Sequence, residues 1–231
     1  MQVLYPSTER FCAGYICPKP THIDFSVAVH EEDIDSEMAR DAEGLSLSRA
    51  YYEPLALYRK ICAKALERGA FLMHCAVIAY EGRGYAFAAP SGTGKTTHIR
   101  LWQAVFGEEN VTIVNGDKPL LRVMDGRIYA YGTPWCGKEG YQTNTRVPLA
   151  ALCFLERAAE NRICGLSDTE AIPRLFSQIM IADSTDLARQ LELVDQLVGR
   201  VPMYKLGCNM EPSAASVAYA GMCAGEGSSL S

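Results

Sequence analysis

The chain contains no Cys-x-x-Cys pair, although it has nine cysteines in 231 residues. That spacing signals neither a zinc site nor a disulfide framework, so reduced and mostly buried thiols are expected. Long apolar runs are also missing. The longest, Phe71 to Tyr80, is interrupted by His74 and falls far short of the roughly 18 residues that a membrane helix needs. There is no excess of positive charge, since 22 Lys plus Arg stand against 27 Asp plus Glu for a net charge of −5. This argues against a broad basic surface for nucleic acid or anionic lipid and leaves room for a local basic pocket. No repeat or low-complexity block is visible. The opening MQVLYPSTER lacks the basic-then-apolar order of a signal peptide, Gln2 excludes myristoylation, and GEGSSLS carries no prenylation cysteine, so a cytoplasmic protein without membrane attachment is expected.

What is present is an ordinary globular composition, 48% hydrophobic and 21% charged, in a chain long enough for one large domain or one with a small appendage. Residues 21–30 (THIDFSVAVH) alternate as a strand does, and the acidic segment 31–43 reads as a solvated loop or short helix. Residues 51–68 place Leu55, Tyr58, Ile61, Cys62, Ala65 and Leu66 on one helical stripe, with Gly69 as the stop. Phe71–Ala79 and Gly84–Ala89 are separated by only Tyr80-Glu81-Gly82-Arg83, too short a link for a parallel crossover, so they are expected to pair antiparallel. After the helix ending at Gly107 come a strand over 111–115 and a hairpin, 120–124 with 127–131, about Asp125-Gly126. A Gly/Pro-rich loop, 132–146, leads to a strand over 149–156. Helices near 168–181 and 185–198, a strand over 202–206 and a helix from about Pro212 follow. The expected class is α/β, with a mixed, largely antiparallel sheet carrying a phosphate loop. The expected division is an N-terminal strand and helix (1–70) packed on a core (71–224), then a tail (225–231).

The segment Ala89-Pro90-Ser91-Gly92-Thr93-Gly94-Lys95-Thr96 fits the phosphate-loop pattern, with alanine for its first glycine. Gly92 and Gly94 permit the backbone turns that aim successive N–H groups at an anion, and the following helix adds its positive end. Pro90, Ser91, Gly92, Thr93, Gly94, Lys95, Thr96 and Thr97 therefore form the candidate nucleotide-binding segment. Lys95 supplies a charge for the β- and γ-phosphates, the Thr96 hydroxyl suits Mg2+, and Thr97 can bond the next phosphate oxygen. Asp117, 22 residues after Lys95 and just past a strand, is the candidate second magnesium ligand; it can equally be a turn aspartate before Lys118-Pro119. His74 is a candidate for a group near the γ-phosphate, or a packed core histidine. In the loop 132–146, Lys138 and Arg146 are candidate substrate-binding cations, Lys138 first because glycines flank it; the same loop can also be a plain surface connection.

The segment from His74 to Gly84, followed by Ser91-Gly-Thr-Gly-Lys-Thr-Thr97, resembles the HPr kinase/phosphorylase family and its small bacterial HPr-kinase-related relatives. The loop wording also looks like that of phosphoenolpyruvate carboxykinase, whose nucleotide-binding fold those kinases share. The resemblance spans about residues 70–160, including Gly132-Thr-Pro-Trp135 and Leu152-Cys-Phe-Leu-Glu156. It implies a kinase-like core that binds ATP and Mg2+ and transfers the γ-phosphate to a hydroxyl, with Lys95, Thr96 and Asp117 on the nucleotide and His74 near the transferred phosphoryl. It also makes a homo-oligomer plausible. Where the family carries adjacent aspartates, this chain has Asn115-Gly116-Asp117, and the family's arginine-containing signature has no counterpart. The expected acceptor is a serine of a peptide or protein, or a small-molecule alcohol. An ATP-binding regulatory module or a slow NTPase is the alternative.

Overall fold

The computed structural model describes residues 1–41, 47–179 and 187–224. The expected tail (225–231), the end of the acidic segment, the end of the helix expected near 168–181 and the start of that expected over 185–198 lie outside the described residues. Two short N-terminal helices, α1 (Pro6–Cys12) and α2 (Glu31–Ala39), and a long one, α3 (Arg49–Leu66), precede the sheet. Then come β1 (Ala70–Leu72), β2 (Cys75–Tyr80), β3 (Arg83–Ala88), α4 (Lys95–Phe106), β4 (Val111–Asn115), β5 (Leu120–Met124) and β6 (Arg127–Tyr131). The chain continues through β7 (Arg146–Arg157), β8 (Arg162–Gly165), α5 (Asp168–Phe176), α6 (Leu187–Val198), β9 (Met203–Cys208) and α7 (Ser213–Ala224).

The class is mixed α/β, as expected. The sheet runs β1-β5-β6-β7-β3-β2-β4, with β9 beside β7 and β8 beside β9. Among the described strands only β3 with β7 and β7 with β9 pair parallel; the other strand pairs are antiparallel. Both tight hairpins form where expected, and each turn has two positive-φ residues, Glu81-Gly82 and Asp125-Gly126, the turn type whose twist matches that of the strands. Side chains alternate between two cores. Cys75, Val77, Ala86, Ala88, Leu152 and Phe154 face α5 and α6, whereas Ala76, Ile78, Tyr85, Phe87 and Cys153 face α4 and α7 through Ile99, Trp102, Ala215 and Ala218. Burial on both faces explains why these strands read as continuous apolar runs.

The structure departs from the sequence reading in several places, among them the helix α1, which the sequence reading lacks, and the end of α5 at Phe176 rather than near 181. Residues 21–30 form no strand; Ala28 makes a single bridge to Gln2. The strand expected over 71–79 breaks at Met73-His74, because the backbone donors there leave the ladder: His74 N donates to Gln178 O at 2.7 Å and Cys75 N to Asp117 O at 3.0 Å. The strand expected over 149–156 begins earlier, at Arg146, so that its first residues pair with β6 while its later ones pair with β3 and β9. Strand β8 was not expected. Among the described residues no helix is long and apolar enough to cross a membrane.

Candidate nucleotide site

Strand β3 delivers the chain into the phosphate loop, and α4 begins at Lys95. The loop turns with φ of +76° at Gly92 and +121° at Gly94, backbone conformations that side-chain-bearing residues rarely adopt. Nothing lies within 4 Å of where a Cβ would sit at either position, so the glycines are required by backbone conformation and not by crowding. Lys95 is buried. Its Nζ donates to Ala89 O at 2.9 Å and lies 3.0 Å from His74 Nε2.

The break in the strand before β2 is what brings His74 here. His74 Nε2 lies 3.2 Å from Asp117 Oδ1, and Lys118 Nζ lies 2.6 Å from Asp117 Oδ2. Lys95, His74, Asp117 and Lys118 thus form one continuous chain of polar contacts. A single imidazole nitrogen cannot accept from Lys95 and donate to Asp117 at the same time, so the two contacts compete for Nε2. Burial works against the Asp117 carboxylate, but hydrogen bonds from His74 and Lys118 and the Lys118 charge outweigh it and hold its pKa well below the usual carboxylate range. Burial lowers the pKa of Lys95, against the opposing pull of Asp117.

Asp117 is placed by Asn115, whose buried Oδ1 accepts from Asp117 N at 2.9 Å and Lys118 N at 2.7 Å. The Asn115 amide donates to Thr133 O at 3.0 Å, tying the turn to the loop 132–146. Asn115 is therefore a turn-forming residue. Part of the loop comes back over the site: a cleft of about 470 Å³ is lined by His74, Lys95, Thr96, Asp117, Lys138 and Glu139, among others. Thr96 and Asp117 give that cleft the hard oxygen donors that Mg2+ prefers. Among the described residues no cluster of three or more His, Cys, Asp or Glu lies at metal-ligand spacing.

Of the residues proposed from sequence, Ser91, Gly92, Gly94, Lys95, Thr96, Thr97, His74, Asp117 and Lys138 line this one cleft. Pro90 and Thr93 line an adjoining recess with Leu155 and Arg157. Arg146 is not brought to either: it opens β7 with its guanidinium 5.5 Å from the centre of the Tyr129 ring and 3.4 Å from Tyr131 Oη. The strand pairing turns it toward β6, which sequence spacing could not reveal. Three contributors carry no local sequence signal. Lys118 reads in sequence only as part of a Lys-Pro turn. Gln178 holds the His74 backbone from a distant helix end. Arg157 donates from Nη2 to Gly92 O at 2.5 Å, clasping the phosphate loop from outside. Its signal was topological, because the parallel register of β3 with β7 sets Ala88 beside Phe154 and carries Arg157 alongside the loop.

No curated protein matches the chain. Among solved structures, the Hpr(Ser) kinase/phosphatase from Coxiella burnetii is similar over 68% of this chain and 93% of its own, with a TM-score of 0.41 and 10% sequence identity. The family described as SynChlorMet cassette protein ScmC matches residues 33–213. That match takes in all nine strands of the sheet, the phosphate loop, His74 and Asp117, and the chain belongs to the ScmC family.

Proposed function

We propose that the protein is an ATP-dependent phosphotransferase that moves the γ-phosphoryl group to a hydroxyl, on a peptide serine or a small alcohol, with Mg2+. The observation that carries this reading is the meeting of Lys95, His74 and Asp117 beside a glycine-turned phosphate loop. Lys95 rests on Ala89 O and His74 Nε2, and a phosphate in the cleft offers it a stronger, charged partner. Its departure frees Nε2 to donate to Asp117 or to accept the acceptor's proton. In the transfer, the bond from the γ-phosphorus to the β–γ bridging oxygen breaks, a bond to the acceptor oxygen forms, and the hydroxyl proton passes to Asp117 or His74. Mg2+ held by Thr96 and Asp117 would neutralise charge building on the phosphates. Lys138, exposed at the rim of the cleft, is assigned to the acceptor or γ-phosphate.

A second reading has its own support. Lys118 and His74 already occupy both Asp117 oxygens, as suits a module that binds ATP and does not turn it over. Calorimetry with ATP and Lys95→Ala, together with incubation of the wild type with labelled ATP, Mg2+ and peptide or metabolite extracts, separates these outcomes. Severe loss of affinity in Lys95→Ala plus a labelled acceptor supports transfer. Tight binding without any labelled acceptor selects the regulatory reading, and unchanged affinity in Lys95→Ala overturns both.

A further inference from the structure

Arg157 closes β7, where its backbone pairs with Cys208 of β9, and its side chain reaches the phosphate loop. Nη2 donates to Gly92 O at 2.5 Å, and Nε faces Thr93 O at 3.5 Å. The adjacent carboxylate, Glu156, lies instead 3.5 Å from Arg174, and among the described residues Arg157 makes no ion pair. A charged guanidinium is thus committed to two successive backbone carbonyls.

The hydrogen bonds of the loop show what those carbonyls would otherwise do. Among the described residues, the backbone N–H groups of Ser91, Gly92, Gly94, Lys95, Thr96 and Thr97 have no acceptor within the protein, whereas Thr93 N donates to Pro90 O at 3.2 Å. If α4 wound one turn further back, Thr96 N would donate to Gly92 O and Thr97 N to Thr93 O, each four residues earlier. Those are the two oxygens that face Arg157. In a trans peptide the carbonyl and the N–H that follows it point in opposite directions. The Gly92–Thr93 peptide is therefore held at both ends, by Arg157 and by Pro90 O, and a Thr93 carbonyl turned toward Arg157 turns the Gly94 N–H away from it.

We propose that Arg157 is a positioning residue for phosphate binding, which occupies the Gly92 and Thr93 carbonyls and so keeps the N–H groups at the start of α4 free for the phosphates. The proposal rests on the nucleotide reading above. Arg157 acts through the loop and not on the ligand: it lines the recess outside the loop with Leu155, and it does not line the cleft of Lys95, Thr96 and Asp117. The planar fork of donors on a guanidinium suits two neighbouring oxygens, whereas an ammonium is a single point of charge.

The experiment measures Mg-ATP and Mg-tripolyphosphate binding by calorimetry on the wild type, Arg157→Lys, Arg157→Gln and Arg157→Met, with a denaturation midpoint for each. Arg157→Met is expected to lose about tenfold in affinity for both ligands, the scale of a charge-assisted hydrogen bond, with little change in midpoint because the side chain is exposed. Arg157→Gln, neutral but still able to donate to one carbonyl, should recover part of that loss. Arg157→Lys, which keeps the charge and lacks the fork, should fall short of the wild type. If Arg157→Lys binds like the wild type and Arg157→Gln like Arg157→Met, the guanidinium acts by its charge on the phosphates and the positioning role is overturned. Wild-type affinity in all three variants overturns it as well. So does a loss with ATP alone, or a wild type that binds ATP and no tripolyphosphate, since either takes the effect away from the phosphates. If Arg157→Met does not fold, the order of the wild type, Lys and Gln still decides. Failure of both ligands to bind the wild type would defeat the nucleotide reading itself.

Discussion

At the scale of single residues, His98 and Asp117 fix how stability follows pH. His98 titrates near 4 when folded because burial disfavours its charge, and near about 6.5 when unfolded. Between those values the unfolded chain binds a proton that the folded chain does not, so stability is full above about pH 6.5 and falls by about 3 kcal/mol in total as pH drops toward 4. Chemical denaturation of wild type and His98→Phe at pH 7.5 and 4.5 should show a smaller difference between the two pH values in the variant; equal differences would mean that His98 is not held neutral. Asp117 acts lower on the scale. Its folded pKa is depressed, so its contribution is present above about pH 4 and is lost only as pH falls below that. Asp117→Asn should therefore leave the pH 7.5 to 4.5 difference unchanged. The same substitution, and Thr96→Ala, should weaken magnesium-dependent nucleotide binding more than binding of metal-free nucleotide; equal losses in titrations with and without Mg2+ would remove both from the metal.

At the scale of elements, the loop 132–146 is fastened closely at its start. A Cβ at Gly132 would come within 1.9 Å of Thr143 O and 2.8 Å of Val114 O, and both obstacles are backbone. Gly132→Ala should therefore destabilise the fold by about 3 kcal/mol, the upper end of overpacking costs, read as a shift in denaturation midpoint; a stable variant would show that the loop can give. How far such elements could be foreseen depends on what fixes them. The strand–loop–helix from Arg83 to Phe106 and the Asp125-Gly126 hairpin were legible because local chemistry determines them: positive-φ turns, a helix stop at Gly107, and alternation feeding two cores. The break at Met73-His74 was not legible, since its cause is backbone hydrogen bonding to Gln178 and Asp117, far away in the chain. The absence of a strand over 21–30 has a similar origin. Period-2 alternation forms a strand only where an edge is available, and the N-terminal helices pack instead around Val29, Ile34 and Tyr58. Lys95, His74 and Asp117 were found from spacing and resemblance, whereas Arg157 and the displacement of Arg146 follow from the pairing of β7, which no local pattern encodes.

At the scale of the whole molecule, the N-terminal helical layer and the cleft are joined through Trp135. Its indole N–H donates to Pro54 O on α3 at 3.0 Å, and its ring packs against Phe11 of α1 and Tyr58 of α3, with centroids 5.8 and 5.1 Å away. The layer is itself pinned by Glu53, fully buried, which accepts from the backbone of Leu4 and Tyr5 and from the Thr8 hydroxyl. Two residues beyond Trp135, Gly137 lies against Asp117, with 3.3 Å between its notional Cβ and that of Asp117, and Lys138 follows at the rim. The layer thus sets where this part of the loop sits over the site, while the phosphate loop hangs from β3 and α4, whose buried side chains belong to the two cores on either face of the sheet. The consequence is a separation of effects. Trp135→Ala should cost about 3–5 kcal/mol in stability through lost packing and speed limited proteolysis between Gly137 and Gly140. Trp135→Phe, which keeps a ring and gives up the bond to Pro54, should cost about 1–2 kcal/mol. Under conditions where both variants stay folded, ATP affinity should change only a few-fold while transfer falls in the order wild type, Phe, Ala, because Lys138 and Asp117 lose their register before the phosphate loop does. Equal loss of affinity and of transfer across the two variants would mean that Trp135 only holds the fold together and that the N-terminal layer has no particular hold on the site.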